Sequence, residues 1–270
     1  MTASRSSRTA LVTGASTGIG EEYARKLAER GYAVVLVARR AEELERIAAE
    51  LRERYGVDAV PLAADLGEDS GLAAVEERLR ADGTGADAPV DLLVNNAGRG
   101  EGGTFTEMDP AAVDSMLDLN VRAVLRLTRA VLPVQIARGR ADGRGAPLGV
   151  INVSSVAGEL AVNPHGSVYA GTKKFVTLWS ESVALEVAEH GVHVTAVLPG
   201  FVRTDMTRSV QEKGLPDIAW VPRERIVRES LRAWAAGYTK VVPGAQYKAA
   251  VNLLRVIPRS VFKSMARRLG

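Results

Sequence analysis

The stretch Thr9-Ala10-Leu11-Val12-Thr13, running straight into Gly14-Ala15-Ser16-Thr17-Gly18-Ile19-Gly20, decides the fold. A short apolar, β-branched run ends in a glycine-rich turn. The residues after it, Gly18 to Arg30, are dominated by alanine, glutamate and arginine and read as a helix. Glycines at such a strand-to-helix turn let the backbone bend tightly and approach a pyrophosphate, whose charge the helix N-terminus and its free N–H groups stabilise. The spacing is Gly-x-x-x-Gly-x-Gly rather than the commoner Gly-x-Gly-x-x-Gly, and a glycine turn alone also closes strand-helix junctions that bind nothing.

The alternation continues along the chain. Runs at Ala33–Ala38, Ala59–Leu62, Val90–Asn95, Leu148–Val153 and His193–Leu198 read as further strands. Stretches at Ala41–Arg54, Ser70–Ala81, Pro110–Ala137 and Val168–His190 read as helices, and Val221–Gly237 as another starting near Pro222. Most of the strands are apolar on both faces, which suits a parallel sheet covered by helices. With Lys240-Val241-Val242-Pro243-Gly244 as a last short strand, the order implies an α/β, doubly wound (Rossmann), mostly parallel seven-stranded sheet. No repeat and no long linker is evident, so residues 1–244 are expected to form one domain and 245–270 an extension. The Gly/Arg-rich stretch at 138–147 reads as an exposed turn.

Composition narrows the chemistry. The 270 residues are 46% hydrophobic and 25% charged and contain no cysteine, which excludes disulfides, thiolate metal sites and cysteine nucleophiles. The formal charge of +3 conceals an asymmetry: residues 230–270 hold eight Lys and Arg and no Asp or Glu, so the rest of the chain is net acidic. Basic charge is not interleaved with aromatics, which make up 5% of the chain, and an acidic body repels phosphate backbones, so no nucleic-acid partner is expected. No apolar run reaches the roughly 20 residues of a transmembrane helix, and none near the N-terminus suits a signal peptide. A cytoplasmic location is the expectation.

Strand two ends at Val37-Ala38-Arg39-Arg40, near where NAD-binding folds place an acidic residue for the ribose 2′-hydroxyl. Two arginines at that corner instead suit a 2′-phosphate, which a guanidinium can bind bidentately, and point to NADP(H). The plainer alternative is a pair of solvated arginines at a helix start. Farther along, Val168-Tyr169-Ala170-Gly171-Thr172-Lys173 opens a helix and places Tyr169 and Lys173 on one face. An ammonium near a phenol is expected to lower its pKa from about 10 and make it a usable proton donor. Asn152-Val153-Ser154-Ser155 ends a strand at the sheet edge where ligands sit. Taken singly, a Tyr/Lys pair one turn apart is commonly a surface contact and Ser-Ser after a strand a turn.

Together, TGASTGIG at 13–20, NNAG at 95–98, Asn120 in LDLNVRAVLRLT, Ser155 in INVSS, YAGTK at 169–173 and PGFVRTDM at 199–206 resemble the short-chain dehydrogenase/reductase superfamily in its compact single-domain branch. The resemblance spans residues 9–206. It implies Tyr169 as the general acid that protonates a carbonyl oxygen, Ser155 hydrogen-bonding that oxygen, Lys173 holding the nicotinamide ribose, and Asn120 anchoring a water that relays protons to Lys173. It further implies Gly14, Ser16, Gly18 and Ile19 at the pyrophosphate, Asp65 and Leu66 at the adenine, Asn96 and Gly98 at the adenine ribose, and Val202 and Thr204 at the carboxamide. Thr17, Gly20, Ala97, Pro199 and Gly200 belong to the same cofactor-binding set. Relatives usually separate the serine and the tyrosine by 12 residues; here there are 13, which places one extra residue in the loop 159–167 and leaves Ser154 as the alternative to Ser155. The position of Ser16 is often basic in NADPH-dependent relatives, so Arg39 and Arg40 are expected to recognise the phosphate alone.

The segment after Thr204, about 205–221, sits where this superfamily keeps a substrate lid, and its Met206, Val210, Leu215, Ile218 and Trp220 suit an apolar pocket or packing against the body. The resemblance implies reduction of a ketone or aldehyde to an alcohol, or the reverse, on 3-oxoacyl thioesters or hydrophobic ketones. The alternatives are epimerase- or dehydratase-type chemistry and a non-catalytic NADP(H)-binding sensor or scaffold. A homodimer or homotetramer built on the two long helices is implied as well. In the extension, Tyr247, Val251 and Leu254, then Val261, Phe262, Met265 and Leu269, fall at helical spacing around a break at Pro258. Two readings stand: short helices packed on the body or a neighbour, or a basic amphipathic element touching a membrane surface.

Overall fold

Strands that are apolar on both faces need cover on both sides. In the computed structural model, which describes residues 8–139, 147–160, 162–212 and 214–256, seven strands form one sheet: β1 (Thr9–Thr13), β2 (Ala33–Ala38), β3 (Ala59–Ala63), β4 (Val90–Asn95), β5 (Leu148–Val153), β6 (Val192–Val197) and β7 (Lys240–Val241). Their order is β3-β2-β1-β4-β5-β6-β7 and every pairing is parallel. The sheet is therefore wholly rather than mostly parallel, because each return passes over a face of the sheet. β1, β4 and β5 are buried at every position.

The helices are α1 (Gly18–Glu29), α2 (Ala41–Tyr55), α3 (Asp69–Arg80), α4 (Pro110–Leu117), α5 (Ala123–Gly139), α6 (Ser167–Val187), the short α7 (Arg208–Gln211), α8 (Arg223–Ala235) and α9 (Ala245–Val256). α1, α2 and α8 close one hydrophobic core, in which Tyr23, Leu27, Leu44, Ile47, Leu51, Ile226 and Leu231 are buried. α3, α5 and α6 close the other, around Leu72, Val75, Leu79, Leu127, Val131 and Val183. The buried positions of α2, Leu44, Ile47, Ala48 and Leu51, follow the helical period that leaves its arginines and glutamates outward. Truncating one such leucine to alanine costs about 2 to 5 kcal/mol.

From β1 the sheet grows outward to β3, and the chain then returns to β4 and grows the other way. Loops after β1 and β4 diverge to opposite faces there, which opens a cleft at the carboxyl ends of the two strands.

One departure from the sequence reading matters. The expected continuous helix over Pro110–Ala137 is divided: α4 and α5 are joined by a π-helical turn, Asp118–Arg122. Buried Asn120 lies in that turn and is bound by the backbone of Arg99, so the wider turn brings a side chain inward that a regular helix aims elsewhere. In the extension, α9 begins at Ala245 with Val251 buried and Tyr247 packed on the first core. Val261, Phe262, Met265 and Leu269 lie outside the described residues, as does 140–146 of the Gly/Arg-rich turn. Among the described residues no helix is long and apolar enough to cross a membrane.

Candidate active site

A cleft of about 1080 Å³ lies at the carboxyl edge of the sheet. Gly14, Ser16, Thr17, Gly18 and Ile19 form one wall, and Asn96, Ala97, Gly98, Pro199, Gly200, Val202 and Thr204 another. Gly14 and Gly18 have φ of +64° and +61°, a conformation that a side-chain-bearing residue seldom adopts. The turn is fixed to β4: Thr13 Oγ1 accepts hydrogen bonds from the backbone N–H groups of Asn96 and Ala97, both at 3.0 Å, and Asn96 Nδ2 donates to Thr13 O at 2.9 Å. Asn96 lines the cleft, but its side-chain amide is engaged in holding the turn.

Gly20 is not part of the cleft lining, and a methyl group there would fall 2.1 Å from Gly14 O and 2.5 Å from Asn96 Nδ2. It is needed for the close packing of α1 beneath the turn. The first turn of α1 has no side-chain cap: the hydroxyl of Thr17 accepts none of its N–H groups. Those donors, together with the glycine cradle, fit a pyrophosphate.

Arg39 and Arg40 stand at the far rim with Asp65 and Leu66. Arg40 Nη2 donates to Ser16 Oγ at 3.2 Å, whereas the exposed Arg39 lies 3.8 Å from Asp65 Oδ2. Asp65 Oδ1 accepts from the N–H of Gly67 at 2.9 Å. The two guanidinium groups and the adjacent serine hydroxyl are donors of the kind a 2′-phosphate requires.

At the other end of the cleft, Ser155 closes β5 and Tyr169 and Lys173 lie in the first turns of α6. Ser155 and Tyr169 both line this end of the cleft, where the serine hydroxyl is near enough to favour the phenolate. Ser155 Oγ accepts from Ala157 N at 3.1 Å, which orients the short turn Val156–Glu159. Ser154 is occupied differently: its buried hydroxyl donates to Lys173 O at 2.7 Å and meets Thr177 Oγ1 at 2.7 Å. The longer loop before α6 thus leaves Ser155, not Ser154, beside the tyrosine.

Lys173 Nζ donates to Val153 O at 3.0 Å and stands 5.8 Å from the centre of the Tyr169 ring. Burial lowers its pKa to about 8. For Tyr169 the expected downward shift is not found: burial raises the phenol pKa, and the nearby Ser155 hydroxyl offsets this only in part. Desolvation of the phenolate is the larger effect. Asn120 does not line the cleft. Its Oδ1 accepts from Arg99 N at 2.9 Å and its Nδ2 donates to Arg99 O at 2.8 Å and Thr172 Oγ1 at 3.2 Å. It reaches the site through Gly98, where an added methyl would lie 3.1 Å from Asn120 Oδ1 and 3.3 Å from Lys173 Nζ.

Some participants were not singled out from the sequence. Gly100 packs beneath the Tyr169 ring, with room for a methyl only at 3.1 Å from a ring carbon. Behind the site a buried chain of amides and hydroxyls links the strands: Asn95 Nδ2 donates to Asn152 Oδ1 at 2.9 Å and Thr128 Oγ1 at 3.0 Å, and Asn152 Nδ2 donates to Ser180 Oγ at 2.9 Å. Polar residues within otherwise apolar strands at Asn95 and Asn152 were the available signal.

The arrangement joins an anion-binding turn to a buried phenol, hydroxyl and amine within one cleft. The chain's residues 8–214 match the family model described as short chain dehydrogenase. It is 37% identical over 214 residues to a putative ketoacyl reductase of Streptomyces coelicolor, covering 78% of this chain and 76% of that one. Among solved structures, it resembles a short-chain dehydrogenase from Sphingobium yanoikuyae in complex with NADPH, with 33% identity, a TM-score of 0.78, and 93% and 96% of the two chains covered. It also resembles the bulky-bulky ketone specific alcohol dehydrogenase of Comamonas testosteroni, with 31% identity, a TM-score of 0.75, and 94% and 96% covered. With the family model covering more than half its length and the cleft built as described, the chain belongs to the short-chain dehydrogenase family of oxidoreductases.

Proposed function

We propose that the protein is an NADPH-dependent carbonyl reductase acting on a hydrophobic ketone or a 3-oxoacyl compound. The observation that carries this reading is the grouping of Ser155, Tyr169 and Lys173 in one cleft with Arg39 and Arg40. When bound, the reduced nicotinamide supplies hydride to the carbonyl carbon. Tyr169 donates its phenolic proton to the carbonyl oxygen, and Ser155 holds that oxygen by its hydroxyl. Lys173 takes the ribose hydroxyls and favours the phenolate left on Tyr169. Asn120, bound to Arg99 and close to Lys173 across Gly98, ties the proton path to the protein interior. The high intrinsic pKa of the buried phenol keeps Tyr169 protonated at neutral pH, the state that reduction needs.

The apolar preference draws support from Met206 and Val202 at the mouth of the cleft, and from the bulky ketone and ketoacyl substrates that the names of two relatives state. A second copy of the chain is part of the proposal: Leu117 on α4 and Phe175, Leu178 and Leu185 on α6 are exposed apolar side chains.

The test is a spectrophotometric screen of NADPH consumption against acyl thioesters, aliphatic and aryl ketones, and aldehydes. A hydrophobic ketone or 3-oxoacyl thioester should be turned over. Tyr169→Phe should lower kcat by about 10² or more and leave NADPH binding intact. Binding of NADPH without turnover of any carbonyl class would instead indicate a cofactor-binding scaffold.

A further inference from the structure

The first turn of the C-terminal extension grips the substrate loop. The ends of that loop meet where Phe201 and Trp220 form a bridge and the N–H of Val221 donates to Phe201 O at 2.9 Å. Tyr247 of α9 lies across this neck. Its hydroxyl donates to Ala219 O at 2.7 Å and accepts from Phe201 N at 3.1 Å, so one oxygen atom joins both sides. Its ring lies against Gly200, where a methyl would come within 2.1 Å of a ring carbon. Next to it, Gln246 Nε2 donates to Ile218 O at 3.2 Å. α9 also packs against the turn Val156–Glu159 that follows Ser155. Beyond the neck, the apolar side chains of the loop are loosely covered: Met206 is 51% exposed and Ile218 75%.

We propose that Tyr247 is a positioning residue that fixes the substrate loop over the cleft, making the first helix of the basic extension part of the site. The inference rests on the proposed carbonyl reductase reading for what the loop covers. The physical reason is that a phenol hydroxyl can donate to one strand of the neck while accepting from the other, which phenylalanine cannot do. Gly200, Val202 and Thr204, all on the cleft wall, flank or closely follow Phe201, whose backbone Tyr247 holds.

Full-length Tyr247→Phe retains the ring and its packing and removes only the hydroxyl. Amide hydrogen exchange across 201–220 should then accelerate at least fivefold, the loss of one to two ordinary hydrogen bonds, with the melting temperature within about 3 °C of the parent. KM for the best carbonyl substrate should rise at least about fivefold while kcat changes less than about twofold. Gln246→Ala should move both quantities in the same direction by less. Unchanged exchange in Tyr247→Phe overturns the proposal, and so does faster exchange with an unchanged KM. Exchange requires no turnover, so if the parent protein reduces no carbonyl the functional reading fails while the exchange rate alone still decides whether Tyr247 holds the loop.

Discussion

Arg40 Nη2 donates to the hydroxyl of Ser16 at 3.2 Å, so the guanidinium that follows β2 reaches the glycine turn that follows β1. Arg40 thus brings positive charge from the rim to the serine of the turn, where the proposed NADPH would place its 2′-phosphate. Arg39 is exposed and lies beside Asp65. Replacing Arg40 with alanine should lower kcat/KM with NADPH about 10- to 100-fold, as expected for one charge-assisted contact. Activity with NADH should change by less than about threefold, since no 2′-phosphate is involved. Arg39→Ala should show the same preference more weakly. Parallel steady-state measurements with the two cofactors decide it: equal losses would mean that Arg40 acts on the turn and not on the phosphate.

The adjacent serines should separate stability from chemistry. Ser155→Ala removes the hydroxyl beside Tyr169 in the cleft and should reduce kcat by about 10² or more with little change in melting temperature. Ser154→Ala instead removes a buried hydroxyl bonded to Lys173 O and Thr177 Oγ1, which keep their own 3.0 Å bond, and should cost about 0.5 to 1.5 kcal/mol of stability while retaining most of the activity. Denaturant titration alongside kinetics checks both, and a reversal of the two phenotypes would reassign the site to Ser154.

What was legible in the sequence was what is local in the chain. The Gly14–Gly20 turn and the Tyr169/Lys173 pair are set by spacing within one turn or one helix, and both ended on the cleft side of the sheet, with Gly20 outside the cleft lining. Spacing could not distinguish a glycine that faces a ligand from one that a neighbouring carbonyl requires. The π turn at Asp118–Arg122 was hidden because helical composition runs unbroken through it, and its cause is a contact between Asn120 and Arg99. The pKa of Tyr169 ran against expectation because proximity to Lys173 is visible in a helix but desolvation by the surrounding fold is not. The contact of Tyr247 with Phe201 joins residues 46 apart, beyond the reach of any periodicity.

Gly98 controls the approach of Asn120 to Lys173. A methyl at 3.1 Å from Asn120 Oδ1 and 3.3 Å from Lys173 Nζ is tighter than usual contact, and the lysine end is the more able to move. Gly98→Ala should therefore displace the ammonium from its place beside Val153 O and lower kcat by about tenfold or more, as the loss of one well-placed charged hydrogen bond would. The melting temperature should fall by only a few degrees. Wild-type kcat in this variant would show that the Lys173 position is not critical.

Lys173 itself should reveal a conflict between stability and activity. Its pKa is about 8 in the folded protein, lowered by burial from the ordinary lysine value of 10.5. Below pH 8 both folded and unfolded chains carry the ammonium, and folding must bury that charge. Between pH 8 and 10.5 the unfolded chain binds more protons than the folded one, so the stability of the cofactor-free protein contributed by this group rises with pH across that window. Lys173→Met removes the buried charge and should make the cofactor-free protein about 1 to 3 kcal/mol more stable at pH 7, less whatever the hydrogen bond to Val153 O contributes. The advantage should shrink as pH is raised toward 10. The same variant should lose at least about 10² in kcat, and reduction by the parent enzyme should decline as pH rises through about 8, where the ammonium is lost. Urea titrations at pH 7 and pH 10 with a pH–rate profile measure both halves. A variant less stable than the parent at pH 7, with a gap that grows as pH rises, would mean that the lysine is buried without desolvation cost, and a parent rate level to pH 9.5 would remove its charge from the reaction.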